Sequence, residues 1–312
     1  MNPPTADDAA RIAAGVLGEP VARVHRLETG CGNWVYDVLT TSGRNVVVRI
    51  ARDPDECAAG VHWSRTLRPL GVPLPEMIAH HVPKDAEDRA WMVLQRLPGT
   101  DLEHVYASLT RPQMLDILGH VMAAQAIVHR LPRGERFGFT DGLSPPPHPT
   151  WYDVLVEHLR ISRERIERVR IVDVRHADRV AAFLTPLEFR EVGPTPFLDD
   201  TTTRNVIVDR GVFQGIVDVD GIACGDPLFV PALTRMSLLS RGFDTFYTDA
   251  WAERLQLSRQ RLRHLDLYTA MFAVNFLGEL GQRFNLDAPP SVDPAVVGRL
   301  VAILDDLLTK LR

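Results

Sequence analysis

The segment FLDDTTTRNVIVDRGVFQGIVDVDGIACGDPLF (197–229) holds two apolar, β-branched runs, Val206-Ile207-Val208 and Val212-Phe213-x-x-Ile216-Val217, on either side of Asp209-Arg210-Gly211. That pattern predicts a β-hairpin. Its return strand comes back beside Asn205 and brings Asp218 with it, so that an amide oxygen and a carboxylate stand on adjacent strand ends. Two oxygen ligands so placed suit Mg2+, a hard cation that takes one or two protein carboxylates and completes its shell with phosphate oxygens and water. Asp200 lies five residues before Asn205, a second carboxylate on the approach to the same strand end. The local alternative for Asp200 is an Asx-type turn residue.

Upstream of this segment the hydrophobic period changes. Residues 5–17 have apolar positions at helical spacing, whereas 22–50 contains β-rich runs around a Thr-Gly-Cys-Gly-Asn turn and a Thr-Ser-Gly-Arg turn, which predicts a three-stranded meander. A helix is expected from about Asp55 to Leu70, started by Asp53-Pro54 and stopped by Gly71. GVPLPEMIAHHV and AWMVLQRLPG add two strands, the second broken by Pro98-Gly99. Beyond residue 100 helical spacing dominates, over 112–131, 150–169, 173–187, 229–241, 246–256, 258–283 and 293–311. Five strands with one helix, then a hinge, then a helical part with an inserted hairpin make an α+β, bilobal protein-kinase-like plan. Its small β-rich N-lobe covers 1–97 and its larger helical C-lobe 98–312.

The sequence resembles the aminoglycoside phosphotransferase family, a branch of that fold. The family's catalytic loop usually reads His-Gly-Asp-x-x-x-x-Asn and is followed by an Ile-Asp-Trp or Ile-Asp-Phe segment and, eight residues after that Asp, by Gly-Asp-Pro. Here Leu198-Asp199-Asp200-Thr201-Thr202-Thr203-Arg204-Asn205, Val217-Asp218-Val219 and Gly225-Asp226-Pro227 occupy the three motifs in register. ETGCGNWVY (28–36), VVVRI (46–50), GVPLP (71–75) and MVLQRLPG (92–99) also look like the family's N-lobe and hinge. The resemblance implies that Asp200 is the catalytic base, that Asn205 and Asp218 bind magnesium, and that Asp226 supports the loop by hydrogen bonding to it. Leu198 and Asp199 depart from the family's histidine and glycine, so the backbone support that a histidine would give has to come from elsewhere.

The same resemblance points to a nucleotide site in the N-lobe. Residues 29–33 form a glycine-bearing turn, with Gly30 and Gly32, whose N–H groups can face phosphate oxygens; ordinary hairpin glycines are the plain alternative. Arg49 takes the central-strand place where kinases carry the lysine that grips the α- and β-phosphates, and neither lysine of the chain, Lys84 or Lys310, falls near that strand. A guanidinium suits phosphate through its planar donor fork. The alternative for Arg49 is a solvated strand-edge residue. Glu56, on the following helix, is the candidate partner of Arg49, although Gly60 holds the slot that family spacing assigns to that partner. Main-chain groups from Gln95 to Leu97 are placed to read the adenine edge, which leaves ATP and GTP open as phosphate donors. Together these parts describe in-line transfer of a γ-phosphate to a hydroxyl of a small molecule, aminoglycoside-like or otherwise. A catalytically impaired, nucleotide- or ligand-binding relative is the second reading.

Composition restricts the partners. The chain of 312 residues is 45% hydrophobic and 24% charged with a net charge of −5, an ordinary globular balance that argues against disorder and against a basic field for nucleic acid. No stretch approaches the roughly 20 apolar residues that a membrane helix requires, and the N-terminus lacks a signal-peptide layout, so a cytoplasmic location without membrane partners is expected. Three widely spaced cysteines, Cys31, Cys57 and Cys224, read as reduced thiols rather than a disulfide framework. Six aspartates within 199–226 make an acidic cleft that would attract amines. Asp153, Glu157, Asp244 and Asp249 could line an acceptor pocket or simply be exposed, and Phe243, Phe246, Tyr247 and Trp251 could line an apolar one or pack in the core.

Overall fold

The computed structural model describes residues 3–27, 32–83, 88–284 and 289–312. Its N-terminal part is an antiparallel sheet of β1 (Val21–Leu27), β2 (Trp34–Thr40), β3 (Asn45–Ile50), β4 (Met77–His81) and β5 (Trp91–Gln95), in the order β1-β2-β3-β5-β4. The β-branched run that predicted β3 sits at its centre. One face packs Tyr36, Val38, Val46 and Val48 against Ala9 and Ala13 of α1 (Ala6–Leu17). That helix begins at a capping box in which the Asp8 N–H donates to Thr5 Oγ1 at 3.3 Å and the Thr5 N–H donates back to Asp8 Oδ2 at 2.8 Å.

The other face packs Met92 against Cys57 and Val61 of α2 (Pro54–Leu67), started by the Asp53 side chain and Pro54 as its sequence foretold. A second stripe of α2 faces the opposite way. Trp63 and Leu67 join Val72, Leu74, Ala124, Val128, Leu198 and Ile216 in an apolar cluster between the two parts of the molecule. One short helix therefore belongs to both lobes, which fixes their relative placement through burial.

The C-terminal part contains α3 (Leu102–Val105), α4 (Arg111–Val128), α5 (Trp151–Val169), α6 (Arg175–Ala181), α7 (Phe229–Arg241), α8 (Phe246–Arg254), α9 (Arg259–Glu279) and α10 (Pro294–Leu311). α9 is apolar around most of its circumference and is buried against α5, α7 and α10. The helix expected over 173–187 is instead the short α6 and a separate 3-10 turn at Pro186–Phe189. Pro186 opens that turn because it has no N–H to continue a helix.

Two small sheets set the site. β6 (Thr100–Asp101), β9 (Val206–Asp209) and β10 (Val212–Ile216) pair in the order β10-β9-β6, and β7 (Gly138–Thr140), β8 (Thr195–Phe197) and β11 (Ile222–Gly225) in the order β7-β11-β8. The hairpin of β9 and β10 closes at Arg210-Gly211, both at positive φ, as the sequence predicts. Strands β6, β7, β8 and β11 have two to four residues, too few for an alternating pattern to announce them. Besides the long helical connection from β6 to β7, the chain crosses directly between these sheets twice, over 198–205 from β8 to β9 and over 217–221 from β10 to β11. These crossings lie side by side, joined where the Val217 N–H donates to the Asn205 carbonyl at 2.9 Å.

Candidate active site

The two crossings carry the chemistry. In the first, the Asn205 Nδ2 group donates to the Asp200 carbonyl at 3.1 Å, which commits the amide nitrogen and leaves the amide oxygen as an acceptor. In the second, Asp218 adopts φ 62°, a left-handed turn that Asp tolerates better than most residues. The turn takes the chain out of β10 with the Asp218 side chain 49% exposed. An amide oxygen and an open carboxylate form an all-oxygen donor pair that fits Mg2+.

Asp200 opens to solvent in the cleft while the protein surrounds it on its other sides. Burial pushes its carboxyl above the ordinary range, Thr202 pulls it down and the Asp218 charge raises it again. Thr202 donates to Asp200 Oδ1 from its hydroxyl at 2.8 Å and from its N–H at 3.3 Å. Asp200 is therefore an Asx-turn residue as well as a cleft carboxylate, and the turn holds its side chain still. Asp199 is pushed further, to about 7, by burial first and by the neighbouring Asp200 charge second.

Leu198 is buried in the apolar cluster between the lobes, and a residue the sequence did not flag supplies the loop's polar support. Buried Gln125 of α4 accepts from the Leu198 N–H at 3.0 Å and donates to the Leu198 carbonyl at 2.9 Å and to Thr201 Oγ1 at 3.2 Å. One amide thus satisfies both main-chain groups of the first loop residue.

The role expected of Asp226 needs correction. Its carboxylate bonds the Leu228 N–H at 3.1 Å, Arg261 at 2.5 and 2.7 Å, and the Tyr268 hydroxyl at 2.8 Å, and it makes no hydrogen bond to 198–205 among the described residues. Tyr268 in turn accepts from the Trp151 indole at 2.9 Å. Gly225 is required because a Cβ there would come within 2.1 Å of the Trp151 ring. The Gly-Asp-Pro motif anchors the C-lobe core behind the loop.

In the N-lobe, Arg49 is buried on β3, which excludes the solvated-edge reading. Its Nη1 donates to Asp220 Oδ1 at 2.5 Å, its Nη2 donates to Asp220 Oδ2, and Nη2 stands 2.9 Å from Asp218 Oδ1. Asn33, its amide turned so that the oxygen faces the guanidinium, accepts from Arg49 Nε at 3.2 Å and Nη2 at 2.6 Å. Burial works against the Arg49 charge, but Asp218 and Asp220 outweigh it and hold the guanidinium protonated. The expected pairing of Arg49 with Glu56 is not formed. Glu56 Oε2 lies instead 3.5 Å from where a Cβ on Gly32 would sit, and burial pushes its carboxyl up. Gly30 and Cys31 lie outside the described residues.

The hinge is partly committed to the protein itself. The Gln95 N–H donates to the Glu76 carbonyl at 2.8 Å, and the Leu97 carbonyl accepts from Arg96 Nη1 at 2.6 Å. Arg96 also reaches Asp37 of β2 at 3.2 Å. Of the main-chain groups expected to read a base, the Leu97 N–H has no partner among the described residues. Of the carboxylates that could line an acceptor pocket, Asp153 accepts from the Thr150 hydroxyl at 2.5 Å at the start of α5, Glu157 pairs with Arg160 at 2.7 Å, and Asp244 and Asp249 are exposed, Asp249 accepting from Thr245 at 2.7 Å. Tyr247 and Trp251 are core residues.

The sequence profile described as the phosphotransferase enzyme family matches residues 23–266. The chain belongs to this family. The match spans both crossings. No curated protein sequence matches this chain significantly. Among solved structures, the GDP complex of aminoglycoside 2'-phosphotransferase-IIIa superposes with a TM-score of 0.68 at 14% identity, covering 98% of this chain and 99% of that one. A thermostable mutant of APH(4)-Ia in ternary complex with ADP and hygromycin B gives 0.65 at 15% identity, covering 95% and 97%. ADP-bound APH(2'')-Ib gives 0.59 at 13%, covering 97% and 99%. At such identities the likeness establishes the shared bilobal, kinase-like α+β fold. The family membership makes this chain a phosphotransferase.

Proposed function

We propose that this phosphotransferase moves the γ-phosphoryl group of ATP or GTP to a hydroxyl of a small, amine-bearing acceptor bound in the cleft beside the 198–205 loop. The observation that carries this reading is the convergence of the two crossings, which sets Asn205 with its amide oxygen uncommitted, the open Asp218 carboxylate and the loop carboxylate Asp200 side by side.

In this reading Asp200 orients the acceptor hydroxyl and takes its proton late, as a loose phosphoryl-transfer transition state requires. Asn205 and Asp218 hold magnesium, which when bound neutralises charge on the β- and γ-phosphates. Arg49, its donor fork taken by Asp220, lends its positive charge to the phosphates, Gly32 stands over them, and the Leu97 N–H receives the base. Glu279, at the end of α9, is a partly exposed carboxylate that pairs with Arg165 at 3.5 Å, is raised by desolvation and lies within electrostatic reach of Asp200. Together with Asp199 it favours a cationic acceptor. The neighbouring structures with aminoglycoside or nucleotide bound support this class of ligand.

Gln125 favours an active enzyme over an impaired binding relative, because the loop keeps its support without the family's histidine. The binding reading draws on Arg49 reaching Asp218 at 2.9 Å, where it competes with a metal for the carboxylate. A transfer assay across aminoglycosides and amino alcohols with labelled ATP and GTP decides between them. Asp200→Asn is expected to lower turnover about 10²–10⁴-fold while nucleotide still raises the melting temperature in the presence of Mg2+. Nucleotide stabilisation without transfer to any acceptor would leave only the binding reading.

A further inference from the structure

A buried guanidinium on a central strand needs a counter-ion, because an unpaired buried charge costs several kcal/mol. In kinases the strand cation takes its partner from the helix that follows. Here that helix, α2, offers Gly60 on the face turned toward Arg49, and a Cβ at Gly60 would lie 2.8 Å from Asp220 Oδ1 and 3.0 Å from Met92 Cε. A glycine inside a helix is less favourable than an alanine there. It is retained where another group fills the space, and the group that fills it is Asp220. Glu56, one turn earlier on α2, leaves Arg49 to Asp220.

We infer that Asp220 is the positioning residue for Arg49, a counter-ion delivered from the C-lobe into a space that Gly60 keeps clear, so that joining the lobes and orienting the phosphate-binding guanidinium are one event. The pair is fork-to-fork, the geometry that fixes a guanidinium most tightly. It joins residues 171 apart in sequence across the cleft. Asp220 lies two residues past Asp218 on the crossing from β10 to β11, so the segment that presents the proposed metal ligand also sets the cation opposite it. The Asn33 amide oxygen braces the same guanidinium from the position just before β2.

This inference rests on the nucleotide-binding reading above, and its test separates the two. Binding of ADP with Mg2+ is measured by calorimetry for the unaltered protein, Asp220→Asn, Gly60→Glu and the double variant Gly60→Glu/Asp220→Ala, with melting temperatures recorded without ligand. Asp220→Asn is expected to weaken ADP binding tenfold or more. Gly60→Glu alone is expected to weaken it because the new side chain displaces Asp220. The double variant, which moves the carboxylate to the helix, is expected to recover at least a third of the lost affinity on the logarithmic scale, and it decides the matter even if Asp220→Asn lowers the melting temperature. Binding by Asp220→Asn within twofold of the unaltered protein, or a double variant no better than Gly60→Glu, would overturn the inference while leaving the nucleotide site intact. No binding by the unaltered protein would remove the nucleotide reading itself.

Discussion

Asp220 and Asp226 lie six residues apart and each takes a bidentate arginine, yet they serve opposite ends. Asp226 is 1% exposed, and its two oxygens are spent on Arg261, Tyr268 and the Leu228 N–H within one lobe. Asp220 is 24% exposed at its side chain and pairs with an arginine of the other lobe that also reaches Asp218. A saturated carboxylate inside one lobe stabilises that lobe. A carboxylate shared between the lobes, whose partner also reaches the Asp218 carboxylate of the proposed site, ties the lobes together at that site. The same ion pair is structural or functional according to what else its cation touches.

The contrast is broken most directly at Asp226. Asp226→Ala leaves Arg261 and the buried Tyr268 hydroxyl without their acceptor, and is expected to cost about 3–5 kcal/mol in urea unfolding with ADP affinity of the remaining folded protein unchanged. If affinity fell as it does for Asp220→Asn, the two carboxylates would not differ in kind. A smaller effect is expected at Gln125, which belongs with Asp226 in stabilising but with Asp220 in touching the site. Gln125→Leu keeps the volume and strands the Leu198 N–H and carbonyl. It should cost about 1–3 kcal/mol and lower turnover as well, measured on the same preparation; a loss of stability with full turnover would place Gln125 on the purely structural side.

The smallest effect concerns Asp199, a carboxylate with no arginine partner among the described residues. Its pKa in the folded protein is about 7 against an ordinary 3.8, so the native state keeps a proton that the unfolded chain releases near pH 4. Stability therefore falls as pH rises from about 4 through 7 and levels off above. Asp199→Asn removes that loss, and is expected to gain about 1–2 kcal/mol at pH 8, after allowance for its partial solvent access, and almost nothing at pH 4. Urea midpoints at the two pH values test this; an equal gain at both would show that the carboxyl does not titrate in this range.

Much of the protein was legible in its residues because much of it is set locally. The period of apolar residues gave the five strands of the N-lobe sheet and the long helices, Asp209-Arg210-Gly211 gave the hairpin, and Asp53-Pro54 gave the start of α2, since each depends on neighbours within a few positions. The spacing of Asp200, Asn205 and Asp218 was readable for the same reason: a hairpin of fixed length brings its ends together. Long-range pairing was not readable. Arg49 was expected to choose Glu56, seven residues away, and instead takes Asp220, 171 residues away, and Gln125 looks like any other helix residue until Leu198 is placed beside it. Choice among several carboxylates is decided by which one burial brings into the guanidinium's plane and which side chains leave room for it. Only the packed lobes contain that information, because burial is a property of the assembled core and not of any local run of residues.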